Sequence, residues 1–202
     1  RVTLQCFRLK PDPEVTHVLW YALAVTARRY GMRIIAFIVM SNHYHLILED
    51  REGRLGDFLR DFDAMVARAV NCRHGVRDHF WDGNKPHVAY LADAGAVVDK
   101  IAYCAANPVR AGLVEYGRDW ENPRTNAKDY GKKVEIRRPD LYFPKTSTMP
   151  DVVTFELELP PDHFIQTARP PEGVDESAWR RGQFIHQVER AIHWAEENAR
   201  AE

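Results

Sequence analysis

Two histidines one residue apart lie in Ala36-Phe37-Ile38-Val39-Met40-Ser41-Asn42-His43-Tyr44-His45-Leu46-Ile47-Leu48-Glu49, where apolar runs flank a short polar turn. Side chains on a strand alternate faces, so His43 and His45 project to one side and Tyr44 to the other. Two imidazoles held side by side on a rigid sheet can ligate a metal ion, because neutral imidazole is a good nitrogen donor. A His-x-His pair alone is a weak signal, since a strand histidine is commonly a satisfied structural residue. A second block strengthens it. Tyr103-Cys104-Ala105-Ala106-Asn107-Pro108 follows a helix expected to begin near Asp93, and Tyr103 and Asn107, at i and i+4, share a face. Pro108 is expected to end that helix, because its ring disfavours helical geometry at the preceding residue. A phenol and an amide oxygen then lie one turn apart, able to face the histidines.

Such residues need a sheet and helices to hold them, and the chain carries both periodicities. Arg1 to Leu9 alternates apolar and polar residues and reads as a strand stopped by Pro11-Asp12-Pro13. Glu14 to Tyr30, with Val18, Leu19, Trp20, Tyr21, Leu23, Val25 and Ala27, suits a mostly buried helix capped by Gly31. Arg33 to Met40 and His43 to Glu49 are strands joined by Ser41-Asn42, a link short enough for an antiparallel hairpin. Leu55 to Asn71 places Leu55, Phe58, Leu59, Phe62, Met65, Val66 and Ala69 at three- and four-residue steps, the mark of an amphipathic helix. Its polar side carries Arg54, Arg60 and Arg68, with Arg73, His74 and Arg77 just beyond. A solvated charged face and a set of phosphate contacts both fit these residues. Phe80 and Trp81, in the loop His79 to Lys85, suit either core packing or stacking on unpaired bases. Pro86 to Leu91 reads as a fourth strand.

The order strand, helix, strand, strand, helix, strand, helix predicts an α+β, ferredoxin-like domain, one antiparallel sheet with helices on one face. Residues 1–120 would form the site-bearing domain and 121–202 a linker with a C-terminal extension. Within the extension, Asn122 to Lys145 reads as a loop and Val152 to Leu159 as a short strand. Trp179 to Glu197 reads as a helix with Phe184, Ile185, Val188, Ile192 and Trp194 on one stripe.

Composition narrows the class. A chain of 202 residues with 45% hydrophobic and 28% charged residues has the make-up of a soluble globular protein. No apolar run approaches the ~20 residues of a membrane span and no signal-peptide pattern is present, so a cytoplasmic location is expected. The chain opens without Met in a strand-like segment, and the expectation is a trimmed terminus or further residues upstream. Cys6, Cys72 and Cys104 are odd in number and lack CxxC spacing, which argues for reduced packing residues over a disulfide scaffold or zinc ribbon. A net charge of −1 does not advertise a nucleic-acid binder, but the charge is uneven: +2 over residues 1–50, +3 over 51–138 and −6 over 139–202.

The blocks Val39-Met40-Ser41-Asn42-His43-Tyr44-His45-Leu46 and Tyr103-x-x-x-Asn107-Pro108-Val109-Arg110-Ala111-Gly112-Leu113-Val114 occur in this order. In them the chain resembles the REP-associated tyrosine transposases, a branch of the single-tyrosine HUH transposases, over roughly Arg1 to Trp120. The resemblance implies a DNA transposase: a nuclease and strand transferase acting on single-stranded DNA near imperfect hairpins, on a ferredoxin-like fold. It implies that His43, His45 and Asn107 ligate a divalent metal, although relatives can use Gln in place of Asn107. It also makes Tyr103 the nucleophile, forming a covalent 5′-phosphotyrosine. Mixed nitrogen and oxygen donors suit Mn²⁺ or Mg²⁺, and the imidazoles favour Mn²⁺. Such an ion would polarise the scissile phosphate and so aid a phenol whose ordinary pKa near ~10 keeps it protonated. Arg54, Arg60, Arg68, Arg73, Arg77, Arg110 and Trp81 are the candidate DNA contacts. Members of the family act as monomers or as homodimers with shared sites. Two other readings stand beside this one. In the first the chain is a metal-dependent nuclease using water, with Tyr103 a packing residue; in the second it is a non-catalytic regulator that binds DNA hairpins.

Overall fold

The computed structural model of the chain describes residues 1–83, 86–143 and 148–201, and its centre is β1, Met32–Val39, buried at every position except Arg33. β1 pairs antiparallel with β2, Tyr44–Asp50, with Ile38 opposite His45 and Val39 opposite Tyr44. Buried backbone must find partners on both sides of a strand. The other edge of β1 finds them far along the chain: Val39 N–H donates to the Pro123 carbonyl at 2.9 Å, Thr125 N–H to Phe37 at 2.7 Å, and Glu158 N–H to Ile34 at 2.9 Å. The Trp120 indole donates to the Val39 carbonyl at 2.8 Å. Part of the stretch expected to be a linker is therefore bonded onto the central strand.

Helix α1, Pro13–Tyr30, begins where the Asp12 carboxylate accepts from the Glu14 and Val15 amides, both at 3.0 Å, and ends at Gly31 in the left-handed region, φ 65°. It packs on α2, Leu55–His74, which buries Phe58, Phe62, Val66, Ala69 and Val70. Both helices cover one face of the β1–β2 ladder, where Phe37 meets Trp20 and Phe62 edge to face, Phe62 meets Tyr44 likewise, and Phe37 and Tyr44 are tilted against each other. The third helix, α3, Ala94–Arg110, reaches the opposite face, so the helices do not all lie on one side as expected. Pro108 lies inside α3 instead of ending it. A proline near the end of a helix forfeits one bond and its fixed φ is already helical. The chain leaves the helix at Gly112, φ 65°, where Leu113 N–H donates to the Pro108 carbonyl at 2.9 Å.

The α+β class holds, but of the four strands expected in the first domain two form. Residues 1–9 contribute one antiparallel bridge, Val2 to Trp81, and then turn away through a 3-10 segment, Thr3–Gln5, in which Leu4 and Gln5 have φ of 55° and 54°. Thr3 N–H donates to Phe80 and Val2 N–H to Asn42, both at 2.8 Å. Alternation alone does not make a strand; a partner backbone must run alongside it, and here it does so for about three residues. Pro86 to Leu91 has no regular structure. Asn84 and Lys85 of the aromatic loop, and Pro144 and Lys145 of the expected linker, lie outside the described residues.

The C-terminal part adds an antiparallel pair, β3 Lys133–Arg137 with β4 Val152–Glu156, and a long helix, α4 Glu176–Ala201. β3 falls within the stretch expected to be a loop. Tyr130, Leu157, Phe184 and Val188 share the hydrophobic cluster of Ile34, Phe37 and Phe62. Of the expected α4 stripe, Phe184 and Val188 are buried, whereas Trp194 is 68% exposed. Packing of α4 on α3 runs through small residues, Ala102, Ala106 and Ala195. Beside them Glu196 accepts the Gly117 N–H at 3.0 Å, and a Cβ on Gly117 would come within 2.7 Å of the Ala105 carbonyl and 2.6 Å of Glu196. Gly117→Ala is therefore expected to cost roughly 1–3 kcal/mol through overpacking. A thermal midpoint equal to that of the unaltered chain would show that α4 does not seat there.

All three cysteines are free; Cys104 is buried, as a packing residue should be, but Cys6 and Cys72 are exposed. No helix among the described residues is long and apolar enough to cross a membrane.

Candidate active site

Strand alternation carries His43 and His45 to the α3 side of the ladder, their ring centroids 4.9 Å apart and nearly perpendicular. From α3, whose start is capped by Asp93 accepting the Ala96 amide at 2.8 Å, Tyr103 and Asn107 project toward them. The Tyr103 ring centroid lies 6.0 Å from that of His45, and the Asn107 amide nitrogen lies 3.3 Å from His45 Nε2 and 3.3 Å from the Tyr103 carbonyl. The four residues selected from the sequence are thus brought together across a 62-residue separation. Two features prepare the group for a cation. Asn42 Oδ1 lies 2.7 Å from His43 Nδ1, and the Asn42 amide nitrogen donates to the Gln5 carbonyl at 3.2 Å. With the amide so oriented, His43 Nδ1 carries the proton and Nε2 keeps its lone pair. Rotating the Asn107 amide by half a turn would present Oδ1 where Nδ2 now stands, at the cost of its hydrogen bond to the Tyr103 carbonyl.

Electrostatics favour neutral imidazoles. Burial, then the Arg1 charge, holds His43 below the usual imidazole value. Burial, His43, Lys100 and Arg1, in that order, push His45 down to about 4. Neutral rings are metal-ready donors. Among the described residues no group of three or more His, Cys, Asp and Glu could hold a metal, so two imidazoles and the Asn107 amide would form the donor set. Such a set fits a labile divalent ion with open positions.

Two cations border the phenol. Lys100 Nζ lies 4.4 Å from the Tyr103 ring centroid and Arg110 Cζ 5.4 Å. Lys100 was not among the residues selected from the sequence, yet it stands three positions before Tyr103, a spacing that predicts a shared helix face.

The other face of the ladder belongs to Tyr44. Its hydroxyl donates to Asp63 Oδ1 at 2.9 Å, and its ring meets Phe62 and Trp81 at 5.3 and 5.7 Å. Trp81 donates its indole N–H to the Asp63 carbonyl at 2.8 Å and meets the Phe80 ring at 4.7 Å, and it lies partly buried against the core. α2 lies on this side, and its arginines are separated by the ladder from the histidines. They are also largely paired: Arg60 with Asp57 at 2.7 Å, Arg73 with Glu14 at 2.7 Å and Asp12 at 3.0 Å, and Arg54 with Asp57 at 3.7 Å, while Arg54 also covers the Tyr30 ring at 4.8 Å. Arg68 and Arg77 are exposed. Of the expected DNA-contacting residues, only Arg110 borders Tyr103.

Burial pushes the Asp63 carboxyl up to about 6, against the lowering effect of the Tyr44 hydrogen bond. A folded value above the unfolded 3.8 means that Asp63 favours folding below about pH 4, and that this contribution, at most about 3 kcal/mol, is lost as pH rises to about 6. Asp63→Asn is expected to remove that loss, flattening the stability profile between about pH 4 and 6 and raising the neutral-pH thermal midpoint. Denaturant titrations across that range check it; an unchanged slope would mean that Asp63 is ionised in the fold at little cost.

Comparison with protein-family models, with curated proteins and with solved structures finds no match for this chain.

Proposed function

We propose that residues 1–120 form the catalytic part of a transposase that resembles the REP-associated tyrosine transposases and cleaves and rejoins single-stranded DNA beside hairpins. The observation that carries this reading is the convergence of a half-exposed phenol, two neutral imidazoles and an amide on one side of the ladder. The state of the phenol favours it over water as nucleophile. A tyrosine kept for packing would be buried as its neighbours Ile101 and Cys104 are, at 1% and 4%, whereas Tyr103 is 38% exposed.

In the proposed reaction the Tyr103 hydroxyl attacks a backbone phosphate. The Oη–P bond forms as the P–O3′ bond breaks, the phenolic proton passes to solvent, and the leaving oxygen takes up a proton as a 3′-hydroxyl. One phosphate ester replaces another, so the bond energy is kept and a 3′-hydroxyl of another DNA end can reverse the step. His43, His45 and Asn107 would hold Mn²⁺ or Mg²⁺, which when bound polarises the scissile phosphate and offsets its charge. The same reading has the chain act in the cytoplasm, as a monomer or a homodimer. Incubating labelled single-stranded hairpin DNA with the chain and Mn²⁺, followed by a denaturing gel, tests it. A protein-linked DNA band is expected; strand cutting with a free 5′-phosphate and no adduct would assign water as the nucleophile, and no cutting at all would leave a hairpin-binding regulator.

A further inference from the structure

We propose that Lys100 is a substrate-contacting residue whose ammonium holds the scissile phosphate against the Tyr103 hydroxyl, an inference that rests on the reading of Tyr103 as nucleophile. On α3, Lys100, Tyr103, Asn107 and Arg110 fall at spacings of three, four and three, and so lie along one face, the face turned to His45. At 4.4 Å from the ring centroid, Nζ is close enough to reach an anion touching the phenol oxygen by a rotation of its own flexible stem. Its charge is felt in the site: Lys100 is among the groups that hold His45 low, and it also draws down the Cys104 thiol, which burial pushes up to about 11.

What separates Lys100 from the paired arginines of α2 is its lack of a carboxylate. Arg54, Arg60 and Arg73 on α2 are neutralised by Asp57, Asp61, Asp12 and Glu14. Among the described residues Lys100 makes no ion pair; it is exposed and rests on the phenol ring. A cation over an aromatic face gains little at an exposed position, and its rotamer freedom is largely retained. An ammonium kept unpaired beside a candidate nucleophile is set for an anionic partner, and at this site that partner is a phosphodiester oxygen. With Lys100 before and Arg110 after Tyr103, the phosphate would be gripped from two sides along the helix.

The test separates this role from general attraction of DNA. Hairpin DNA is prepared with an ordinary phosphate, and with an uncharged methylphosphonate, at the position the unaltered chain cleaves. Binding is measured in the Tyr103→Phe background, so that no chemistry intervenes. Lys100→Gln is expected to weaken binding of the ordinary DNA about tenfold and to leave binding of the methylphosphonate DNA unchanged, and Lys100→Arg is expected to restore most of the loss. Cleavage by Lys100→Gln alone should fall through kcat at saturating DNA. Equal losses on the two DNAs, or none on either, would overturn the role while the adduct made by the unaltered chain keeps Tyr103 as nucleophile. If the unaltered chain makes no adduct, the reading beneath the inference fails instead. Lys100 is exposed, so both variants should fold, and a thermal midpoint within a few degrees of the unaltered chain confirms it.

Discussion

Tyr103→Phe is expected to lower cleavage of hairpin DNA by at least about 10⁴-fold while leaving hairpin affinity nearly unchanged. The substitution removes one oxygen from a half-exposed ring and keeps its edge contact with His45 at 6.0 Å and the Lys100 charge above it at 4.4 Å. A neutral effect on folding is expected for the same reason, so a fall in activity reports chemistry. The readout is the protein-linked DNA band on a denaturing gel beside a filter-binding curve. Persistence of that band in the variant would move the nucleophile elsewhere. Tyr90 and Tyr116 are the nearest other tyrosines in the sequence; the Tyr116 ring is held between Arg118 at 4.5 Å and Arg200 at 4.9 Å, whereas Tyr90 is exposed.

His45→Ala is expected to be nearly as damaging, because His45 is the hub of the group, facing His43, Tyr103 and Asn107 at once. Loss of one ligand from a set of three should exceed the roughly 100-fold that follows loss of an outer-shell partner. His43→Ala should behave similarly, and chelation with EDTA should mimic both. Full activity in chelator would sink the metal assignment. The pH dependence has a defined sign. A folded value depressed to about 4 keeps His45 unprotonated as pH falls through 6.5, so protons should not compete with the ion until the solution is well below the usual imidazole range. Calorimetric titration with Mn²⁺ at about pH 7.5 and about pH 5.5 should show a smaller loss of affinity than two ordinary imidazoles would give; the full loss expected of two ordinary imidazoles would mean that the rings are not held neutral.

The order of the helices and the limits of α1 were legible because their signals are local. Asp12, Pro13 and Gly31 bracket α1 within one residue of its expected ends, and the α2 stripe of Phe58, Phe62 and Val66 is the one that is buried. The candidate site was legible for a related reason: a period of two puts His43 and His45 on one side, and a period near four puts Tyr103 over Asn107. Sequence alone therefore determined which side chains share a face and which helices can exist.

Tertiary structure decided which faces meet. Nothing near α2 in the sequence shows that it packs on the Tyr44 side, and that docking moved Arg54, Arg60, Arg68 and Arg73 away from the histidines. Nor does any local pattern show that Thr125, a residue read as linker, would bond to Phe37 across 88 positions, or that α4 would lie on α3 through Ala102, Ala106 and Ala195. Residues 1–9 had the alternation of a strand but only a short partner. Such outcomes depend on backbone groups and apolar surfaces that become neighbours only when the chain closes long loops, and the cost of closing a loop hardly depends on the residues within it.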